Sequence, residues 1–105
     1  MRLSDLLADL PENLSSRATE DLLRILRESW REWGIHTAFQ TRNRLFARCH
    51  SIAAGTALGH SRQDMTSRRS RLFLNEGPFV IVYNPVTRRV LRVLHGARDF
   101  PRLLR

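Results

Sequence analysis

The stretch Phe79-Val80-Ile81-Val82-Tyr83 decides the fold, because five consecutive apolar residues, three of them β-branched, are typical of a strand buried on both faces. The turn residues Asn84-Pro85 follow, and a second run rich in Val and Leu extends from Arg89 to Leu94. This order predicts an antiparallel hairpin. The hairpin ends at His95-Gly96-Ala97-Arg98-Asp99, which places polar side chains at the end of a rigid strand.

Two amphipathic helices are expected before the strands. Apolar residues at helical spacing predict the first helix over residues 17–33, and Gly34 ends it. The second helix is expected over residues 37–54, because Thr37 and Gln40 have the spacing of a capping box and Gly55 suits a helix C-terminus. The short connection between the two predicts an antiparallel helical hairpin.

The remaining segments complete an α+β fold. Residues 71–76 alternate between polar and apolar types, which predicts a strand ahead of the Gly77-Pro78 turn. Residues 56–70 are polar and predict a loop, with one short strand around Arg62. Helices followed by strands favour a two-helix hairpin packed on one face of a small antiparallel sheet, whose other face we expect to be open and basic.

The length of 105 residues predicts one domain spanning the whole chain. Within it, residues 1–15 form an atypical N-terminal extension, because Leu3, Leu6, Leu7 and Leu10 have helical spacing until Pro11 interrupts it. No apolar run approaches the roughly 18 residues of a membrane helix, and no targeting segment is recognisable. We therefore expect a soluble, cytoplasmic protein that does not bind membranes.

The charge distribution indicates the kind of partner. The formal net charge is +8, and all 18 basic residues are Arg. Residues 1–34 contain five Arg and seven acidic residues, a net of −2, whereas residues 35–105 contain thirteen Arg and three acidic residues, a net of +10. Such a field attracts nucleic acid or an acidic protein without distinguishing between them.

The sequence gives no sign of a metal or cofactor. His36, His50 and His60 lack the spacing of metal ligands with one another or with Cys49, the single cysteine. A lone cysteine excludes an internal disulfide, and its place in an apolar helical repeat favours a core residue over a nucleophile. The chain also lacks a Gly-rich phosphate loop and a serine nucleophile signature.

Residues 16–104 resemble the RelE/ParE family of bacterial toxins. The resemblance includes the helix around Ala18-Thr19-Glu20-Asp21, the break at Trp33-Gly34, and the segment Gly59-His60-Ser61-Arg62. It continues through the strand ending at Tyr83 to the tail His95-Gly96-Ala97-Arg98-Asp99. The resemblance implies a two-helix hairpin on a curved antiparallel sheet. Family members usually begin with a short strand, and here only Asn13-Leu14-Ser15 can supply it.

The resemblance implies a toxin of a type II toxin–antitoxin system, paired with a cognate antitoxin in a hetero-oligomer. RelE-like members cleave mRNA on the ribosome, whereas ParE-like members poison DNA gyrase. The tail from His95 to Asp99 is more similar to the ParE-like branch. The absence of Lys also favours that branch, because ribosome-dependent members often place Lys on the sheet. We therefore expect gyrase as the target and keep mRNA cleavage as the alternative.

If the protein were a ribonuclease, His95 would be the titratable group and Arg71 and Arg98 the phosphate-binding cations. Strict alternation along the last strand, however, places Leu91, Val93 and His95 on one face and Val90, Arg92 and Leu94 on the other. An acid/base pair of His95 and Arg92 is therefore disfavoured. In the structural alternative, His95 and Arg98 pair with Asp99 and fasten the tail.

The residues expected to bind the target or the antitoxin are cationic or aromatic. An acidic, amphipathic peptide would complement them. They are Arg62, Arg68, Arg69, Arg71, Phe73, Arg92, Arg98, Trp30 and Trp33. A third alternative is a non-toxic nucleic-acid-binding module on the same fold, since a net charge of +8 suffices for salt-sensitive binding.

Overall fold

A computed structural model describes residues 2–61 and 71–103 of the chain, and side chains as far as Asp99. The elements follow the expected order of helices before strands. They are α1 (Leu3–Leu6), α2 (Ser16–Trp33), α3 (Ile35–Ala54), β1 (Leu72–Glu76), β2 (Phe79–Asn84), β3 (Arg89–His95) and α4 (Gly96–Leu103). The α+β prediction is confirmed.

Helices α2 and α3 are joined by a single residue, Gly34. Its φ of 87° and ψ of 175° are accessible to glycine and reverse the chain within one residue. Helix α3 therefore begins at Ile35, with no side-chain hydrogen bond at its N-cap, and the capping box predicted at Thr37 is wrong. At the other end of α3, Gly55 adopts the left-handed conformation (φ 77°, ψ 15°) as expected.

The sheet has the strand order β1-β2-β3, and both pairings are antiparallel. The prediction that the run from Phe79 to Tyr83 forms the central strand is confirmed. On the helix-facing side, Leu74, Ile81 and Val93 lie opposite one another across the three strands. They pack against buried side chains of both helices, which are Ala18, Leu22, Ile25, Leu45, Phe46, Cys49 and Ile52.

The second face of the sheet is not open and basic, and that expectation is wrong. It carries Phe73, Val80, Val82 and Leu94, all of which are buried and form their own apolar cluster. The physical reason lies in β2 itself. Successive side chains alternate between faces, so a strand that is apolar at every position puts apolar groups on both faces, and both require cover.

Two short segments extend the sheet at its edges. Leu14 forms a parallel bridge with Val90, where the Ser15 N–H donates to the Val90 carbonyl at 2.8 Å and the Val90 N–H donates to the Asn13 carbonyl at 2.7 Å. The segment 13–15 thus supplies the edge strand before the first long helix. On the other side, His60 pairs with Phe73 through two backbone hydrogen bonds.

The N-terminal residues pack on the helical hairpin. Helix α1 is only four residues long, too short to be stable by itself. Leu6 is fully buried against Leu26 and Ala38. The Arg42 guanidinium donates to the carbonyls of Leu6 and Ala8 and lies over the Phe46 ring at 4.4 Å. Arg42 and Leu6 together therefore fix the N-terminal segment.

Candidate functional site

A buried carboxylate on α2 fastens the last strand. Asp21 is only 4% exposed, and its Oδ2 accepts hydrogen bonds from Arg92 Nε at 2.8 Å and from the Val93 N–H at 2.9 Å. Arg92 Nη2 donates to Oδ1 at 3.3 Å. The hydrogen bond that Arg92 donates to Asp21 is the main cause that raises the pKa of Arg92 above its ordinary value, against the opposing effect of burial. This pair joins α2 to β3.

A β-bulge sets the direction of the side chains in β3. Tyr83 pairs with Val90 and Val82 pairs with Arg92, which leaves Leu91 as an extra residue. Val90 and Val93, three residues apart, therefore both enter the helix-facing core. The prediction that Val90 and Val93 lie on opposite faces of the strand is wrong, because strict alternation does not allow for the inserted Leu91.

The polar tail forms the start of helix α4. The Asp99 carboxylate accepts a hydrogen bond of 2.7 Å from the His95 backbone N–H, and Arg98 Nη2 donates to Glu28 Oε2 on α2 at 2.9 Å. The hydrogen bond that Arg98 donates to Glu28 is the main cause that raises the pKa of Arg98. Arg24 also lies near Asp99, at 3.9 Å. The tail is therefore held by carboxylates on both α4 and α2.

The His95 ring lies beside the start of β2. It meets the Phe79 ring edge to face, with 5.7 Å between the ring centroids and an angle of 89°. Its Nδ1 atom is buried and has no hydrogen-bond partner among the residues that the structure describes. An imidazole that acts as a general base is usually oriented by a hydrogen bond to its second nitrogen. That orienting group is not found beside His95 within the described part of the chain.

A groove opens next to this ring. It has a volume of about 590 Å³ and runs between α2, α3, the β1–β2 turn and the start of α4. Trp33, Phe79 and His95 form its aromatic walls, and Thr37 and Leu45 contribute from α3. Its charged rim consists of Glu28, Glu32, Glu76, Arg44 and Arg98. We call this region the tail groove. It can hold an extended or helical peptide segment with an apolar anchor.

The residues predicted to bind partners are distributed over several regions. Trp33 is 70% exposed at the tail groove, and Arg98 lies on the groove rim. Trp30 is half-buried against the cluster around Leu6. Arg92 is bound to Asp21, and Phe73, at 2% exposure, is buried in the second sheet face.

Arg71 precedes β1 directly, is half-buried, and has interactions of its own. It also lies outside the set of residues that line the tail groove. Arg62, Arg68 and Arg69, together with the short strand predicted around Arg62, lie outside the described residues.

Some residues of this region were not predicted from the sequence. Asp21 appears in the sequence only as part of the first helix, whereas in the structure it is the buried partner of Arg92. Glu28 and Phe79 were not assigned any role at the tail. One signal for Asp21 is its position on the apolar face of α2, one residue before the buried Leu22, where a charged side chain needs a partner.

The described residues show neither a metal centre nor a membrane helix. Among residues 2–61 and 71–103, no three His, Cys, Asp or Glu side chains are close enough together to hold a metal ion. Within the same ranges, no helix combines the length and the apolar character needed to cross a membrane.

Comparison with known proteins identifies the family. A search of curated proteins found no match. The family model of the ParE toxin of the type II toxin–antitoxin system parDE matches residues 13–100, so that it begins at the edge strand beside Val90 and ends within α4. Residues 2–12, which carry α1, precede the matched region. This match and the helical hairpin on an antiparallel sheet agree with the resemblance in the sequence, and the chain belongs to the ParE toxin family of type II toxin–antitoxin systems, whose members are paired with a cognate antitoxin.

Proposed function

We propose that this toxin arrests growth by binding and inhibiting DNA gyrase, without a hydrolytic site of its own, and that its antitoxin neutralises it by lying in the tail groove. The observation that carries this proposal is the pairing of Arg92 on β3 and Arg98 in the tail with carboxylates of α2. Arg92 is bound to Asp21 and Arg98 to Glu28. Cations already neutralised by protein carboxylates are poorly placed to stabilise a phosphorane.

The surroundings of His95 support the same conclusion. A ribonuclease would need a general base whose imidazole is held in the correct tautomer by a partner. Within the described residues, Nδ1 of His95 has none, and the ring packs against Phe79. The neighbouring Asp99 binds the backbone of His95 instead of its ring. These groups therefore support a structural role for the tail.

The alternative, mRNA cleavage on the ribosome, is favoured by one observation. The His95 ring lines the tail groove, so a bound polynucleotide could reach it. The Nε2 atom of His95 would then be the reacting group. Among the described residues that line the groove, Arg44 would contact phosphate, as would Arg98 once it leaves Glu28. We rank this alternative second, because it requires the pair of Arg98 and Glu28 to open first.

The deciding experiment expresses the toxin without its antitoxin and follows two readouts, gyrase supercoiling with purified protein and transcript cleavage in cells. We expect inhibition of supercoiling and intact transcripts, and the same result for His95→Ala. Ribosome-dependent cleavage that is lost in His95→Ala, with supercoiling unaffected, would reverse the assignment. Normal growth at high expression would favour the non-toxic nucleic-acid-binding module.

Binding of the antitoxin is tested separately. The product of the neighbouring open reading frame should copurify with the chain, and excess antitoxin should restore gyrase activity. Trp33, exposed at the tail groove, provides a large apolar anchor for such a segment. A neighbouring gene product that does not copurify would argue against this part of the proposal.

A further inference from the structure

Two apolar side chains are exposed at the end of the molecule opposite the tail groove. Leu58 is 90% exposed and Val86 is 84% exposed. Val86 lies in the turn between β2 and β3, and Leu58 lies in the segment that follows α3. Single exposed apolar residues are common on protein surfaces and need no explanation. These two differ because they share one end of the molecule and are held on rigid segments.

Three contacts hold the two segments together. The Gly59 N–H donates to the Tyr83 hydroxyl at 3.0 Å, directly after Leu58. Arg88 Nη1 donates to the Ala53 carbonyl at 3.3 Å, and its guanidinium covers Gly55 so closely that a Cβ at Gly55 would lie 2.9 Å from Cζ. The segment after α3 is thus tied to the hairpin on both sides of Leu58.

The turn that carries Val86 is also ordered internally. The Asn84 side-chain oxygen accepts hydrogen bonds from the backbone N–H groups of Val86 at 2.8 Å and Thr87 at 3.2 Å. Pro85 fixes its own φ, and a β-branched valine has few side-chain rotamers. Burial of Val86 by a partner would therefore cost little conformational entropy, which is the property of a preorganised contact residue.

The charges beside these tips define the partner. Residues 54–60 and 84–89 contain no acidic residue, and Arg88 and Arg89 are both exposed. We call Leu58, Val86, Arg88 and Arg89 the tip patch. An apolar tip flanked by guanidinium groups complements an apolar pocket bordered by carboxylates. A nucleic acid would use the arginines but would leave the aliphatic tips without a partner.

We infer that the tip patch is the surface by which the toxin grips its protein target, at an apolar pocket bordered by carboxylates, and that it is separate from the surface that receives the antitoxin. The inference rests on the proposed function, since it assigns a contact surface to the protein that this toxin inhibits. The target contact and the antitoxin contact then lie at opposite ends of the β2–β3 hairpin, and the antitoxin neutralises the toxin without covering the tip patch.

The test uses two variants of the full chain, Val86→Asp and Leu58→Asp, with Ala47→Asp as the matched control. Ala47 is exposed on α3 and lies outside both the tip patch and the residues that line the tail groove. The readouts are growth arrest on induction, gyrase inhibition with purified protein, copurification with the antitoxin and the thermal midpoint. We expect Val86→Asp and Leu58→Asp each to weaken inhibition about tenfold or more, since each substitution removes a buried aliphatic contact and places a carboxylate against a pocket bordered by carboxylates.

Antitoxin binding and the thermal midpoint should stay unchanged in all three variants, and Ala47→Asp should inhibit like the wild type. Full toxicity of Val86→Asp and Leu58→Asp would overturn the inference. So would loss of antitoxin binding in parallel with loss of toxicity. If the wild-type protein arrests growth without inhibiting gyrase, the proposed target is wrong but the tip patch is still tested. In that case, loss of growth arrest in Val86→Asp would support the role of the tip patch, and unchanged growth arrest would overturn it.

Discussion

The two ends of the β2–β3 hairpin differ in how they present charge and apolar surface. At the tail groove the surface is concave, and two of its carboxylates are paired, Glu28 with Arg98 at 2.9 Å and Glu76 with Arg48 at 2.8 Å. At the tip patch the surface projects outward, and apolar side chains stand beside exposed arginines. A concave surface suits a segment that lies in it, whereas a projecting surface suits insertion into another protein.

The largest effect is expected where the two ends are joined. Asp21→Ala leaves Arg92 without its carboxylate and the Val93 N–H without its acceptor, and removal of one partner of a buried pair costs about 3–5 kcal/mol. Because Arg92 is partly exposed, we expect the lower end of that range in the free energy of unfolding, measured by urea denaturation. Glu20→Ala, at the exposed neighbouring position, is the control. An Asp21→Ala protein as stable as Glu20→Ala would contradict the structural role of this pair.

The next effect concerns the tip patch alone. A Cβ at Gly59 would collide with the Tyr83 hydroxyl and lie 2.8 Å from its Cζ. Gly59→Ala must therefore displace the segment that carries Leu58, and crowding of this kind costs about 1–3 kcal/mol. Toxicity should fall while antitoxin binding remains.

Tyr83→Phe separates crowding from the loss of the hydrogen bond. It removes only the hydrogen bond to the Gly59 N–H, worth about 1 kcal/mol. We expect Gly59→Ala to lower the free energy of unfolding by more than Tyr83→Phe does. The opposite order would show that the segment can shift freely and that the tip is not rigid.

A smaller effect on folding and a specific effect on binding are expected at the tail groove. Trp33→Ala removes a side chain that is 70% exposed, so the thermal midpoint should change little. If Trp33 anchors the antitoxin, affinity should fall about tenfold or more, measured by calorimetry. Arg31→Ala, on the exposed face of α2, is the control. Unchanged affinity of the Trp33→Ala protein for the antitoxin would show that the antitoxin does not bind in the tail groove.

The smallest effect is expected in the core between the two ends. Burial raises the pKa of the Cys49 thiol to about 12, so the thiol stays neutral at physiological pH and should alkylate slowly in the folded protein. The unfolded thiol ionises from its ordinary pKa of 9.0. This contribution to stability is therefore fully present below pH 9.0 and is lost as the pH rises through about 12. Rapid alkylation at neutral pH without unfolding would contradict the burial.

The sequence predicted those parts of the fold that depend on local patterns. The helices around Leu22 and Leu45 and the central strand from Phe79 to Tyr83 have clear periodicities, and each was confirmed. Helix α4 was not predicted, because Gly96 and Pro101 are both poor helix formers. The start of α3 at Ile35 was not predicted either, because it depends on the conformation of Gly34, which joins the two helices through a single residue.

The tail region could be predicted only in its residue types. The sequence shows that His95, Arg98 and Asp99 form a polar cluster. It does not show the partners of Arg98 and Arg92, which lie 70 or more residues earlier in the chain. No periodicity relates a carboxylate on α2 to an arginine on β3. The bulge at Leu91 is equally hidden, because a single inserted residue leaves the run of Val and Leu looking regular.

Because of that bulge, the number of residues in β3 determines which side chains face the helices, whatever the identity of the inserted residue. Deletion of Leu91 would restore strict alternation, and either Val90 would leave the helix-facing core or Val93 and His95 would exchange faces with Leu94. In the second case the imidazole would leave the tail groove and the backbone N–H of Val93 would move away from Asp21. A change of one residue in length would thus disturb the packing near one end of the hairpin or the other, whereas substitution at the partly buried Leu91 would leave the alternation of side chains along β3 unchanged.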